Sequence, residues 1–229
     1  MRPLNKEIEQ FAFEHGADEV AFADLSQASA YLQNEYGDKW QAFTRAVVIA
    51  VHFPQAIVQE LLKGPSHTYL AYYDILNNKI NEIGLLLANK LSKKGYTSYP
   101  IPASQRISDN KLAAVFSHRF AAYLGGLGWV GKSCNIVTEK NGPRLRLGTV
   151  LTNAPLDCGK PVENLCKDCR LCMEICPAHA IKDHLWQENQ SICQHIDALA
   201  CHNYLMEIRQ SFGKRVCGLC LAACPYSIK

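Results

Sequence analysis

Long apolar stretches are missing from this chain. No run of eighteen apolar residues occurs, so no membrane-spanning helix is expected. No secretory leader is expected from the opening Met-Arg-Pro-Leu-Asn-Lys-Glu-Ile-Glu-Gln, which carries acidic residues where a signal peptide needs its apolar core. The start is not a twin-arginine one either. Charge of one sign is scarce: 24 Lys and Arg stand against 21 Asp and Glu, a net charge of +3. That balance carries no strong signal for nucleic acid or for an anionic membrane surface. There is no low-complexity segment. These absences, with 48% hydrophobic residues among 229, leave a packed globular chain of one large domain or two modest ones. A reducing cytoplasm is its expected home.

Cysteine is what the chain has in quantity, eleven in all. Cys166-Lys-Asp-Cys169-Arg-Leu-Cys172-Met-Glu-Ile-Cys176-Pro177 is a C-x2-C-x2-C-x3-C-P run, the bacterial ferredoxin pattern for 4Fe–4S clusters. A second, partial run follows at Cys217-Gly-Leu-Cys220-Leu-Ala-Ala-Cys224-Pro225. Cysteines three apart on a short loop turn their thiolates onto corners of one cubane. The fourth, followed by proline, leaves that loop for a second cluster. Cys166, Cys169, Cys172 and Cys224 are therefore assigned to one cluster. Cys176, Cys217, Cys220 and the intervening Cys193 are assigned to the other, with Cys201 as the alternative to Cys193. A structural zinc site or a disulfide framework is the competing explanation. Zinc asks for four ligands, usually in two pairs, and leaves two runs that each end in Cys-Pro unexplained. Cys134, Cys158 and Cys201 are left as inert thiols, of which Cys134 adjoins a glycine-rich loop.

Before the cysteine runs, periodicity predicts helices over 3–15, 56–63, 67–94 and 111–124, with Ser26 capping another. Strands are expected over 19–23, 45–53, 96–101, 133–138 and 144–152. The run Ala-Val-Val-Ile-Ala-Val within 45–53 suits a strand buried on both faces. The last two strands, joined by an Asn-Gly turn at 139–143, are expected to form a hairpin. Tyr72 and Tyr73, on the long helix, read as core edge or as cofactor contacts. The expected architecture is an α/β or α+β domain over 1–155, followed by a loop-rich double-cluster domain over 156–229.

Gly126-Leu-Gly-Trp-Val-Gly131-Lys132-Ser133 satisfies the phosphate-loop string. Its context is wrong, because a phosphate loop joins a strand to a helix, and here a helix precedes and a strand follows. Two uses remain open. One is a glycine turn laying its backbone against a flat cofactor, with Lys132 reaching a phosphate or carboxamide edge. The other is a tight turn with Trp129 in the core.

The stretch Ala122-Tyr-Leu-Gly-Gly-Leu-Gly-Trp-Val-Gly-Lys-Ser133 resembles the Ala-Gly-Leu-Gly-Trp-Ile-Gly-Lys-Asn segment of epoxyqueuosine reductases. The order of the cysteines, and the early Gly16-Ala-Asp-Glu-Val-Ala-Phe-Ala-Asp24, are similar to that family as well. The resemblance, shared with reductive dehalogenases, implies a nitroreductase-like domain that binds cobalamin, joined to a bacterial ferredoxin-like double 4Fe–4S domain. It implies electrons passing from an external donor such as a flavodoxin or ferredoxin, through two clusters, to the corrinoid. The end point is reduction of a small-molecule or nucleoside substrate. Candidate cofactor contacts are Ser104, Gln105, His118, Gly128, Gly131, Lys132 and Ser133. The aspartate of the family's Val-Asp-Ser segment has no counterpart at Ile101-Pro-Ala-Ser104. Asp109 is the candidate replacement as proton donor, or else part of the following helix cap. That departure, with a shorter chain, leads to the expectation of a branch with another substrate. Two alternatives share the electron transfer. One is a ferredoxin-like carrier docking a partner protein, and the other is a reductase using FMN in place of cobalamin.

Overall fold

The run Ala-Val-Val-Ile-Ala-Val forms strand β2 (Arg45–His52), and its six central residues are all buried. β-branched side chains fill both faces of a central strand and exclude water from each. In the computed structural model, residues 2–105, 114–187 and 194–228 are described. The chain divides into two units. The first comprises Met1–Val51, Leu76–Leu127 and Arg146–Val162, and the second comprises His52–Ile75, Gly128–Leu145 and Glu163–Lys229.

The first unit is built on a four-stranded sheet of order β1–β2–β6–β3, where β1 is Glu19–Asp24, β3 is Ser98–Ile101 and β6 is Leu145–Thr152. β1 and β2 run antiparallel with Glu19 opposite Ala50, and β3 and β6 run antiparallel with Ser98 opposite Thr152. Helix α1 (Pro3–Glu14) starts on a proline, whose fixed φ suits a first turn, and buries Ile8 and Ala12. The long helix α4 (His67–Lys93) places Ile80, Ile83, Leu87 and Leu91 on one stripe, each 0–1% exposed. That stripe meets the sheet at Gly148, where a Cβ would stand 2.3 Å from Ile80 Cγ2. Only glycine allows the helix so close. The architecture is α+β, as expected.

Three local expectations fail. Of the helix expected over 111–124, residues 111–113 lie outside the described residues and 114–117 are not helical: α5 is His118–Leu124. Ser117 decides the start, since its hydroxyl accepts the Phe120 amide at 3.2 Å. The hairpin expected between 133–138 and 144–152 does not form. Strand β5 (Ile136–Val137) pairs instead with β4 (Trp129–Val130), while β6 joins the main sheet. The loop of this β4–β5 hairpin is closed by Gly131 N to Asn135 O at 2.8 Å and Cys134 N to Gly131 O at 2.8 Å. Ser26 does not cap a helix either; its hydroxyl donates to Asp24, and α2 (Ser29–Tyr36) begins after a 3-10 turn.

The second unit holds α3 (Gln55–Glu60), the start of α4, the β4–β5 hairpin and three further helices: α6 (Leu171–Glu174), α7 (Ala198–Phe212) and α8 (Leu219–Ala222). Phe53 stacks on Tyr69 at 4.8 Å, and Trp129 meets Tyr226 edge-on at 5.1 Å. Asp197 caps α7 by accepting the Ala200 amide, and Gly213, at φ 77°, ends it in the left-handed conformation that glycine adopts without strain.

Candidate iron–sulfur site

The first cysteine run lies on a turn followed by one short helix. Cys169 N donates to Cys166 O at 2.8 Å, so two cysteines three apart close a single turn. Cys172 sits in α6, and Cys176 N reaches Met173 O at 3.2 Å. Asn164 anchors the start of the loop: its Oδ1 accepts the Cys166 amide at 3.0 Å, and its Nδ2 donates to Val130 O at 2.9 Å. The second run repeats the plan. Gly218, at φ 90°, opens α8, which carries Cys220, and Cys224 N donates to Leu221 O at 3.3 Å.

The thiols of the two runs lie close enough to act on one another. Burial, and after it the charges of Cys166, Cys224 and Cys169, pushes the Cys172 thiol up to about 12. Burial likewise lifts Cys224 to about 11, and Cys166 and Cys169 act on it too. Cys220 is raised by burial and then by Cys217, Cys172, Cys201 and Cys176. Thiols so placed are poor isolated thiolates, and a cationic metal centre is what makes them ionise. Cys193 lies outside the described residues. Cys201, expected to be a spare, stands near Cys176, Cys217 and Cys220. Among the described residues no group of three His, Cys, Asp or Glu side chains that could hold a single metal ion is found. A C-x2-C-x2-C-x3-C-P run places its thiolates on the corners of a cubane, where zinc asks for four ligands in two pairs.

The glycine-rich segment serves this site. Trp129, 2% exposed, donates from Nε1 to Cys166 Sγ at 3.4 Å. A Cβ on Gly131 would meet Val137 Cγ2 at 2.8 Å and Cys166 Sγ at 3.4 Å, and one on Gly128 would meet Val137 O at 2.3 Å. Lys132 is buried, and its ammonium donates to Cys169 O at 3.1 Å and pairs with Asp183 at 2.7 Å. It is thus engaged by the cluster loop, where a cofactor edge was the expectation. Lys132 first, and Arg170 after it, holds the Asp183 carboxyl below the usual carboxylate range. Ser133 is buried and accepts from Asn135 Nδ2 at 3.2 Å; the same amide reaches Cys220 Sγ at 3.6 Å. Sequence reasoning missed Asn135, Asp183 and Asn164, because the partners that place them, Cys220, Lys132 and Val130, are 85, 51 and 34 residues away and carry no local signature.

The chain resembles the epoxyqueuosine reductases. Residues 160–182 match the family described as 4Fe-4S binding domain. Over 98% of its length the chain is 26% identical to the epoxyqueuosine reductase of Vibrio cholerae, covering 67% of that protein. Coverage falls to 46% for the epoxyqueuosine reductase of Aliivibrio fischeri and to 38% for that of Bacillus cereus, so the chain spans well under two thirds of some of the curated relatives it matches. Among solved structures it matches an epoxyqueuosine reductase with a tRNA-Tyr epoxyqueuosine-modified tRNA stem loop at TM-score 0.63 and 20% identity, over 98% of this chain and 65% of that one. It matches a reductive dehalogenase, whose structure suggests a mechanism for B12-dependent dehalogenation, at TM-score 0.72 and 19% identity, over 96% of this chain and 31% of that one. The likeness to epoxyqueuosine reductases therefore extends over nearly the whole chain, and the shared fold reaches the dehalogenases.

The remaining cofactor candidates lie in the first unit. Ser104 is exposed at φ 59°, with its hydroxyl accepting from Arg146 Nη2, and Arg146 Nε donates to Asn77 at 2.9 Å. Gln105 is exposed. His118 occupies the first position of α5, with Nε2 3.3 Å from Pro102 O and Nδ1 2.8 Å from Thr149 Oγ1. Since a carbonyl only accepts, Nε2 carries the hydrogen and Nδ1 takes the threonine hydroxyl. Burial, with Arg146 and Arg119 adding, pushes His118 down to about 4, so the ring is neutral near pH 7. Asp109 lies outside the described residues. Tyr72 and Tyr73 are half-buried. An open groove of about 520 Å³, lined by residues including Asn5, Phe22, Gly126 and Cys158, contains none of these candidates.

Proposed function

We infer that the chain is an iron–sulfur reductase that carries electrons through two 4Fe–4S clusters to a corrinoid, which then reduces a small-molecule or nucleoside-like substrate. The observation that supports this best is the company of the cysteines: Cys166 and Cys169 act on both Cys172 and Cys224, while Cys217, Cys201 and Cys176 act on Cys220, which Cys172 also reaches. Cys166, Cys169, Cys172 and Cys224 are assigned to one cluster. Cys176, Cys217, Cys220 and Cys193 are assigned to the other. The cluster-bearing part is 156–229, and 1–155 holds cofactor and substrate.

The corrinoid rests on the fold shared with a dehalogenase described as B12-dependent. A bound corrinoid supplies the low-potential reducing chemistry. Its rim of carboxamides would suit neutral hydrogen-bonding partners such as the exposed Ser104 and Gln105, with His118, engaged by Thr149 and Pro102, holding the segment that leads to them. The Gly128–Ser133 turn supports the cluster side of the path. The relative that binds a tRNA stem loop makes a nucleoside within RNA one substrate to screen, despite the small net charge here. A donor such as a flavodoxin or ferredoxin would supply the electrons, in a reducing compartment such as the cytoplasm. No helix among the described residues is long and apolar enough to cross a membrane.

The test is anaerobic reconstitution followed by cofactor retention. The expected result is about eight iron atoms per chain and stoichiometric retention of cob(II)alamin through a desalting column. Retention of FMN alone would replace the corrinoid with a flavin. Retention of neither, with full iron, would leave an electron carrier. Loss of about four iron atoms in Cys201→Ala but not in Cys193→Ala would reassign the second cluster.

A further inference from the structure

The β4–β5 hairpin brings one N–H donor to a cysteine of each group. From one end, Trp129 Nε1 reaches Cys166 Sγ at 3.4 Å. From the loop, Asn135 Nδ2 reaches Cys220 Sγ at 3.6 Å. Both donors are unambiguous. An indole nitrogen only donates. The Asn135 amide also faces the Ser133 carbonyl oxygen at 3.4 Å, which only accepts, so its NH2 side is the one turned to the sulfur.

Both donors are held by the fold. Trp129 is 2% exposed and fixed edge-on by Tyr226, two residues beyond Cys224. The hairpin loop that carries Asn135 is closed by reciprocal backbone bonds between Gly131 and its far side, with Cys134 at φ 56°. Lys132, between the two donors, ties the loop to the Cys169 carbonyl and to Asp183. Bonds from rigid, water-excluding donors to cluster sulfurs are one of the means by which a protein sets cluster potential. A reduced cluster carries one more negative charge, so a donor to its thiolate stabilises the reduced form and raises the potential.

We propose that this hairpin is a potential-setting element: Trp129 raises the potential of the cluster ligated by Cys166, and Asn135 raises that of the cluster ligated by Cys220. It rests on the two-cluster reading above and adds the residues that order the two potentials. Trp129 and Asn135 are positioning residues that act through the thiolates.

The experiment is an anaerobic redox titration of reconstituted protein followed by electron paramagnetic resonance, on the parent chain, Trp129→Phe and Asn135→Leu. At a fixed poise, each substitution is expected to lower the reduced-to-oxidised ratio of one cluster about tenfold, or about 59 mV for a one-electron couple. The two variants should move different clusters, and iron content should stay at the parent level. A purely structural role would instead shift both clusters together or lose iron. Should Trp129→Phe lose iron, benzothienylalanine at position 129 keeps the ring volume without the N–H, and the same single shift is expected. Full iron with neither potential moved, or both substitutions moving the same cluster, overturns the proposal and leaves the two-cluster reading intact. A parent chain that takes up no cluster overturns both.

Discussion

At the scale of single residues, sequence position and chemical role part company at His118. It heads α5, and its ring bridges Thr149 and Pro102, which ties the helix start to β6 and to the loop after β3. Burial, with Arg146 beside it, keeps the ring neutral down to about pH 4. Its folded pKa is therefore below its ordinary value, and the unfolded chain takes up a proton first as pH falls. Stability is then full above pH ~6.5 and declines between there and pH ~4. Replacing His118 with Gln removes this titration. Chemical denaturation of parent and His118→Gln at pH 7.5 and pH 5 should show the parent losing more stability over that interval. An equal loss in both would remove His118 as the cause. Lys132 makes the same point without a titration: it sits in a phosphate-loop string, yet its ammonium serves Asp183 and a cluster-loop carbonyl.

Elements differ in how much of their stability is local. Helix α4 is long, and its stripe of Ile80, Ile83, Leu87 and Leu91 is read from spacing alone. Leu87→Ala, at a fully buried position, should cost about 2–5 kcal/mol through lost transfer energy and the cavity left behind. Leu85 is on the same helix but 54% exposed. Leu85→Ala should stay within about 0.5 kcal/mol. Urea melts of both variants, at constant m-value, check the contrast, and equal losses would mean that α4 does not bury the stripe described. The β4–β5 hairpin is the opposite case. Two-residue strands have little intrinsic stability, and this one depends on Gly128 and Gly131, whose missing side chains admit Val137 and Cys166.

At the scale of the whole molecule, the two units draw stability from different sources. The first has its own apolar core in β2, β6 and the later turns of α4. The second, over 163–229, has short helices and loops whose thiols are the expected cluster ligands. Cluster binding in such a segment is coupled to its folding. Removing iron with a chelator under reducing conditions should therefore raise amide hydrogen exchange across 163–187 and 194–228 by about tenfold or more, while β1, β2 and the 76–93 turns of α4 stay protected. Equal deprotection of both units would show that the first unit also depends on the clusters.

The sequence alone determined the buried strand at 45–52, the long helix at 67–93, the 4Fe–4S cysteine run, and the likeness to epoxyqueuosine reductases. Each of these is written in local spacing: period 2 or continuous apolar character for the strand, period 3.6 for the helix, and thiols three apart for the cluster loops. Only the tertiary structure decided that β5 pairs with β4, that Lys132 answers Asp183, that His118 begins its helix, and that Cys201 stands near Cys176 and Cys217. Those outcomes depend on contacts between residues tens of positions apart. Burial and hydrogen-bond satisfaction there outweigh local propensity, and no short window of sequence records them.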